Sequence, residues 1–162
     1  MAEFSHIDSK GKAKMVDITE KGDTKRKAVA TGSISMQPTT LQRIKEGKIK
    51  KGAVLETARV AAIMAVKRTH EIIPMCHQLL LTGIDVDFVF TDRTRITITV
   101  TAKTTGKTGV EMEALNGVSA AALTLYDMCK AVDKKMVIGD IKLLEKTGGK
   151  SGNFIREGNN ND

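Results

Sequence analysis

The chain has 162 residues, 41% of them hydrophobic and 28% charged, which suits one soluble domain with a core of its own. No apolar run approaches the ~20 residues of a membrane span, and the opening MAEFSHIDSKGKAKM lacks the apolar centre of a secretory signal, so a cytoplasmic protein with no membrane partner is expected. The net charge of +7 is concentrated early: residues 1–52 carry 12 Lys/Arg against 6 Asp/Glu, the remainder 14 against 13. A basic segment points to an anionic partner. Aromatic residues are only 3% and Trp is absent, so the stacking platforms of a single-strand nucleic-acid binder are missing, and a small phosphorylated ligand fits better.

Residues 1–24 mix Gly, Lys and Asp with few large apolar side chains and read as an arm. Arg26–Met36 alternates, with Ala28, Ala30, Gly32, Ile34 and Met36 on one side, a strand with one modest core face. Pro38 suits the first turn of a short helix over Thr39–Glu46, ended by Gly47. Gly52–Glu71 reads as one helix whose density of small apolar residues suggests burial on more than one side, and Pro74 stops it before the Met75–Gln78 loop.

Thr82–Thr91 and Thr94–Thr104 alternate strictly and form a hairpin across Asp92-Arg93. A long helix is expected from Val110 to Val132, with Val118, Ala121, Leu125, Met128 and Val132 toward the core. A last strand spans Val137–Glu145, and the Gly/Asn-rich stretch over 155–162 reads as a mobile tail. The order strand, helix, strand, strand, helix, strand predicts a single α+β domain, a ferredoxin-like plait with both main helices on one face of an antiparallel sheet.

In such a plait the two helices run antiparallel, so polar residues gather at each end of the pair. Lys50 and Lys51 then approach Asp127 and Lys130. Lys67 and the Met75-Cys76-His77 loop approach Glu111 and Glu113. Asp127 and Lys130 share a helix face; the pair could serve proton transfer, or be an ordinary surface ion pair. Glu113 and Asp127 lie on nearly one face but about 21 Å apart along the axis, at 1.5 Å per residue. One small substrate reaches both only if a second subunit supplies one of them, which predicts a symmetric oligomer with shared sites. Cys76 and Cys129 have no CxxC partner, and Cys76-His77 alone offers too few ligands for structural zinc, so no metal is expected. His6 and His70 have no supporting neighbours in sequence. Gly106-Lys107-Thr108-Gly109 lacks P-loop spacing, although its glycines and the helix start beyond could bind an anion.

The runs KMVDIT (14–19), KRTHEIIPMCH (67–77) and GKTGVEMEALNGVSAAALTLYDMCKAVDKKMVIGDIKLLEKTGGKSG (106–152), with KKG at 50–52, closely resemble the MoaC family of cyclic pyranopterin monophosphate synthases. The similarity extends over essentially the whole chain, and TGVEMEAL and YDMCKAV are its most specific parts. The resemblance implies a lyase of molybdenum cofactor biosynthesis. Such an enzyme converts 3′,8-cyclised dihydro-GTP into cyclic pyranopterin monophosphate and releases pyrophosphate, with no cofactor. It further implies a ferredoxin-like fold and a homohexamer, a trimer of dimers, with sites at the subunit interface. By the same resemblance the catalytic residues are Asp127, Lys130 and Lys51. Substrate binding falls to Met75, Cys76, His77, Met112 and Glu113, with Lys67 and Arg26 as phosphate contacts by position. The family usually has Pro after the Cys-His pair; here Gln78 stands there, and a looser loop is expected. The competing reading is a non-catalytic plait that binds an anionic nucleotide, which would not need Asp127 and Lys130 together.

Overall fold

A computed structural model describes residues 6–157. Its regular elements are β1 (Thr24–Ser35), α1 (Pro38–Lys45), α2 (Val54–Lys67), α3 (Thr69–Ile72), β2 (Leu81–Phe90), β3 (Arg95–Gly106), α4 (Glu111–Cys129), β4 (Val137–Thr147) and β5 (Phe154–Ile155). The sheet is antiparallel throughout, in the order β2-β3-β1-β4-β5. Its first four strands and the helices α2 and α4 make the ferredoxin-like plait that the order of elements predicts. No helix among the described residues is long and apolar enough to cross a membrane.

The small face of β1 has a purpose in packing. Ala28, Ala30 and Ile34 are fully buried, and a side chain at Gly32 would place its Cβ 2.6 Å from Val118 Cγ1. The central strand therefore carries little bulk where α4 crosses it. A second close approach joins the helices, where a Cβ at Gly117 on α4 would lie 2.6 Å from Val66 Cγ2 on α2. Between these points Ala58, Ala62, Ala121, Ala122 and Leu125 are wholly buried. The helix pair is thereby fixed on the sheet, and so are its two ends.

Three expectations need correction. The single helix expected over Gly52–Glu71 is two helices, broken at Arg68, whose φ of −116° and ψ of 18° leave the helical region. Side chains take over the carbonyls at the break: the Thr69 hydroxyl lies 3.2 Å from both Ala65 O and Val66 O, and Asn116 Nδ2 donates to Ala65 O at 2.9 Å. The long helix ends at Cys129 rather than Val132, which is 46% exposed. There the Val132 and Asp133 amides both turn back to Cys129 O, and buried Asp133 accepts hydrogen bonds from Gln37 N and the Thr40 hydroxyl. This carboxylate ties down the start of α1, whose own N-cap Gln37 provides no side-chain bond. Finally, the expected tail begins inside a strand: Ile155 pairs with Glu145, and Arg156 N donates to Leu144 O. The rest of that tail, residues 158–162, lies outside the described residues.

Candidate active site

At one end of the helix pair, buried Ile49 anchors the segment before α2, and Gly52 turns the chain with a φ of 101°. Lys51 between them extends toward α4. Leu125, Met128 and Cys129 bury the inner face of the last turn of α4, which leaves Asp127 pointing outward. Lys51 Nζ donates to Asp127 Oδ2 and to the Asp127 main-chain carbonyl, each at 2.8 Å. Lys130 Nζ meets the other oxygen, Oδ1, at 2.7 Å. One carboxylate is thus held between two ammonium groups. Hydrogen bonds from Lys130 and then Lys51, followed by their charges, pull its pKa down to about 2. The hydrogen bond to Asp127, and then its charge, raise that of Lys130. The three side chains are 43–55% exposed, so these pairs contribute little to stability. Their arrangement makes physical sense as a preorganised charge cluster open to a ligand, with surplus positive charge.

At the opposite end, α4 begins beside a cavity of about 660 Å³. Glu113 lines it and is only 4% exposed. Burial is the main reason its carboxyl is pushed up to about 7, and the nearby Glu111 charge adds to the effect. Such a group is shared between acid and carboxylate at neutral pH, so it can donate as well as accept. Cys76 lies close by, and burial followed by the Glu113 charge pushes its thiol up. Arg26 lies between the end of β3 and the glycine loop after β4: its Nε donates to Gly106 O at 2.8 Å, and a Cβ at Gly149 would strike its guanidinium. Lys146 Nζ is held by Glu111 Oε1 at 3.1 Å and by the Ser151 hydroxyl at 2.7 Å. Lys107 Nζ donates to Thr19 O at 2.8 Å and so ties the N-terminal arm to the pocket wall.

Met75, Cys76, His77, Met112, Glu113 and Arg26, all expected in a binding site, line this one cavity. Lys67, exposed at the end of α2, is not among the residues lining it. Lys51, Asp127 and Lys130 form the separate cluster at the far end. Fourteen residues of continuous helix separate Glu113 from Asp127, about 21 Å along the axis. Sequence reasoning missed Lys21, Lys146 and Lys150, which also line the cavity, as does His6. The glycines 148, 149 and 152, all at positive φ, were the signal for a specialised loop there. Lys107 belongs to the GKTG run already noted as a possible anion site.

A protein-family model described as the MoaC family matches residues 15–149, a span that includes Lys51, Asp127 and Lys130 and most of the residues lining the cavity. The chain belongs to the MoaC family. Among curated relatives, the cyclic pyranopterin monophosphate synthase of Brevibacillus brevis is 62% identical over 154 residues, covering 95% of this chain and 96% of the relative. The proteins of the same name from Heliobacterium modesticaldum and Natranaerobius thermophilus are 57% and 59% identical, over 97% and 96% of this chain and 99% and 98% of theirs. The MoaC match stops at Gly149, so Ser151 and its bond to Lys146 lie just beyond it.

Proposed function

We propose that this MoaC chain is a cyclic pyranopterin monophosphate synthase, a lyase of molybdenum cofactor biosynthesis. Its substrate is 3′,8-cyclised dihydro-GTP, and pyrophosphate leaves as the cyclic phosphate closes. The observation that carries this reading is near-full-length identity of 55–62% to curated synthases, joined to an Asp127 carboxylate clamped by two lysines. Location in the cytoplasm is part of the same proposal.

The chemistry needs two things from the protein. Opening a guanine-derived ring and closing a pterin requires several proton transfers. Forming the cyclic phosphate requires attack of a sugar hydroxyl on the α-phosphorus, while the bond to the β-phosphate breaks and pyrophosphate departs with that electron pair. Lys51 and Lys130 bring positive charge to where negative charge grows. A carboxylate at about 2 is a weak base while both lysines hold it. An anionic substrate that draws Lys51 away removes one of the two clamps, so Asp127 becomes more basic when substrate is present. Lys130 stays beside it as the proton donor. At the other end, Glu113 with Met75, Cys76 and His77 holds the base or pterin edge, and Arg26 contacts phosphate.

Both clusters serve one substrate only if they meet across a subunit boundary, in the homohexamer, a trimer of dimers, that family resemblance implies. The separation along α4 supports this reading, and so do exposed apolar residues on the helices: Val60, Met64 and Leu123. Incubation with the cyclised GTP intermediate tests the function. Pterin product with one equivalent of pyrophosphate supports it, whereas binding without turnover assigns the chain to the nucleotide-binding alternative.

A further inference from the structure

One turn of α4 carries three different tasks. Glu113 faces the cavity, Gly117 makes the close approach to Val66, and Asn116 lies between them. The Asn116 amide reaches across to the break between α2 and α3, where Nδ2 donates to Ala65 O at 2.9 Å and lies 3.2 Å from the Thr69 hydroxyl. Ala65 O also receives the Arg68 amide at 3.0 Å, and Thr69, 1% exposed, turns its hydroxyl toward Ala65 O and Val66 O. Carbonyls at a helix end need donors when no further turn supplies them. Here the donors come from a buried threonine and from the neighbouring helix.

The break has a directional consequence. Four residues of α3 follow, closed by the Ile73 amide on Thr69 O, then Pro74, and the Cys76 amide bonds Ile73 O. A single short, internally bonded turn therefore joins Thr69 to the cavity-lining Met75, Cys76 and His77. Its direction is inherited from the break, whereas α2 itself is held independently by buried Ala58, Ala62 and Val66.

We infer that Asn116, with Thr69, is a positioning residue: it clamps the α2–α3 break and thereby aims the Met75–His77 loop into the cavity beside Glu113. Asn116 touches no reacting atom. Its assignment to the reaction rests on the proposal that this cavity takes the substrate.

The test uses two readouts on the assembled protein, one of which needs no activity. Cys76 is half-buried at the cavity and Cys129 is fully buried, so iodoacetamide labelling followed by peptide mass mapping reports the loop through Cys76. Asn116→Ala should change the Cys76 labelling rate at least about fivefold and raise KM by about tenfold, with kcat within about twofold, because ground and transition states lose the same loop contacts. Thr69→Val should act in the same direction, Thr69→Ser should restore the original behaviour, and the double variant should be less than additive. If Asn116→Ala fails to assemble, the Thr69→Val and Thr69→Ser pair decides alone. Unchanged labelling and KM in a folded Asn116→Ala or Thr69→Val variant overturns the inference, as does a fall in kcat with KM unchanged. A wild-type protein without turnover overturns the proposed function instead, and the labelling comparison still decides the role of Asn116.

Discussion

Lys51 and Asp127 are 76 residues apart in sequence, yet their side chains meet at 2.8 Å, and the same ammonium also holds the Asp127 main-chain carbonyl. The second bond matters because it places a cation against the last turn of α4, where carbonyl dipoles leave partial negative charge. Lys51 is thus oriented by the helix end as well as by the carboxylate.

Removing the charge at the centre of this cluster tests its chemical role. Asp127→Asn is expected to lower kcat by about 10²–10⁴-fold, the usual scale for loss of a positioned acid–base group. Because Asp127 is exposed, the unfolding midpoint and the assembly should hardly change. Product assays beside thermal melts and size-exclusion chromatography check both halves.

The buried carboxyl at the other helix end predicts a pH dependence. Glu113 titrates near 4.5 in the unfolded chain and at about 7 in the folded one. The folded state therefore holds this proton more tightly. That stabilisation is fully present below about pH 4.5 and is lost as pH rises through about 7, a contribution on the order of 3 kcal/mol. Glu113→Gln should remove the dependence, and so be relatively more stable at pH 8 than at pH 5. Urea unfolding of both proteins at the two pH values and a fixed protomer concentration gives the comparison.

Asp133 should behave in the opposite sense. Burial opposes its ionisation, but hydrogen bonds from the Gln37 and Lys135 amides and the Thr40 hydroxyl outweigh that and lower its pKa. Its stabilisation is present above the unfolded value of 3.8 and fades as pH falls through the lowered folded value. Asp133→Ala leaves the Gln37 and Lys135 amides and the Thr40 hydroxyl without this partner and should cost about 1–3 kcal/mol at neutral pH. Denaturant melts of the variant measure it.

Close helix packing gives another test. A methyl at Gly117 meets Val66 Cγ2 at 2.6 Å and Val100 Cγ1 at 3.0 Å, both on buried β-branched side chains with little freedom to move. Gly117→Ala should destabilise by about 1–3 kcal/mol despite alanine's better helix propensity. A stabilised variant in urea unfolding would contradict the described contact between α2 and α4.

Much of this arrangement was legible in the chain. Alternation in β2 and β3, Pro38, and the periodicity of α4 indicated the order of elements, and an antiparallel helix pair then brought Lys50 and Lys51 toward Asp127 and Lys130; the resemblance singled out Lys51. Tertiary choices were not legible. The break at Arg68 depends on Thr69 and on Asn116 from another helix, so the small apolar residues that continue through α2 gave no warning. The periodicity of α4 continued to Val132, but the Asp133 carboxylate, engaged with the start of α1, ends the helix earlier. Phe154–Ile155 pairs with β4 through main-chain bonds that carry no pattern in two residues. Lys67 shows the limit of position alone: it ends α2 as expected, yet does not reach the cavity.

In the proposed assembly the Glu113 end of α4 from one protomer and the Asp127 end from another serve one substrate. Glu113→Ala and Asp127→Ala chains, each inactive alone, should be unfolded, mixed in equal amounts and refolded together, with subunit exchange verified by mass labels. Recovery of about a quarter of wild-type turnover or more, from sites that pair one intact end of each kind, is the expected result. Verified mixed assemblies with no recovered turnover would rule out sites shared between protomers.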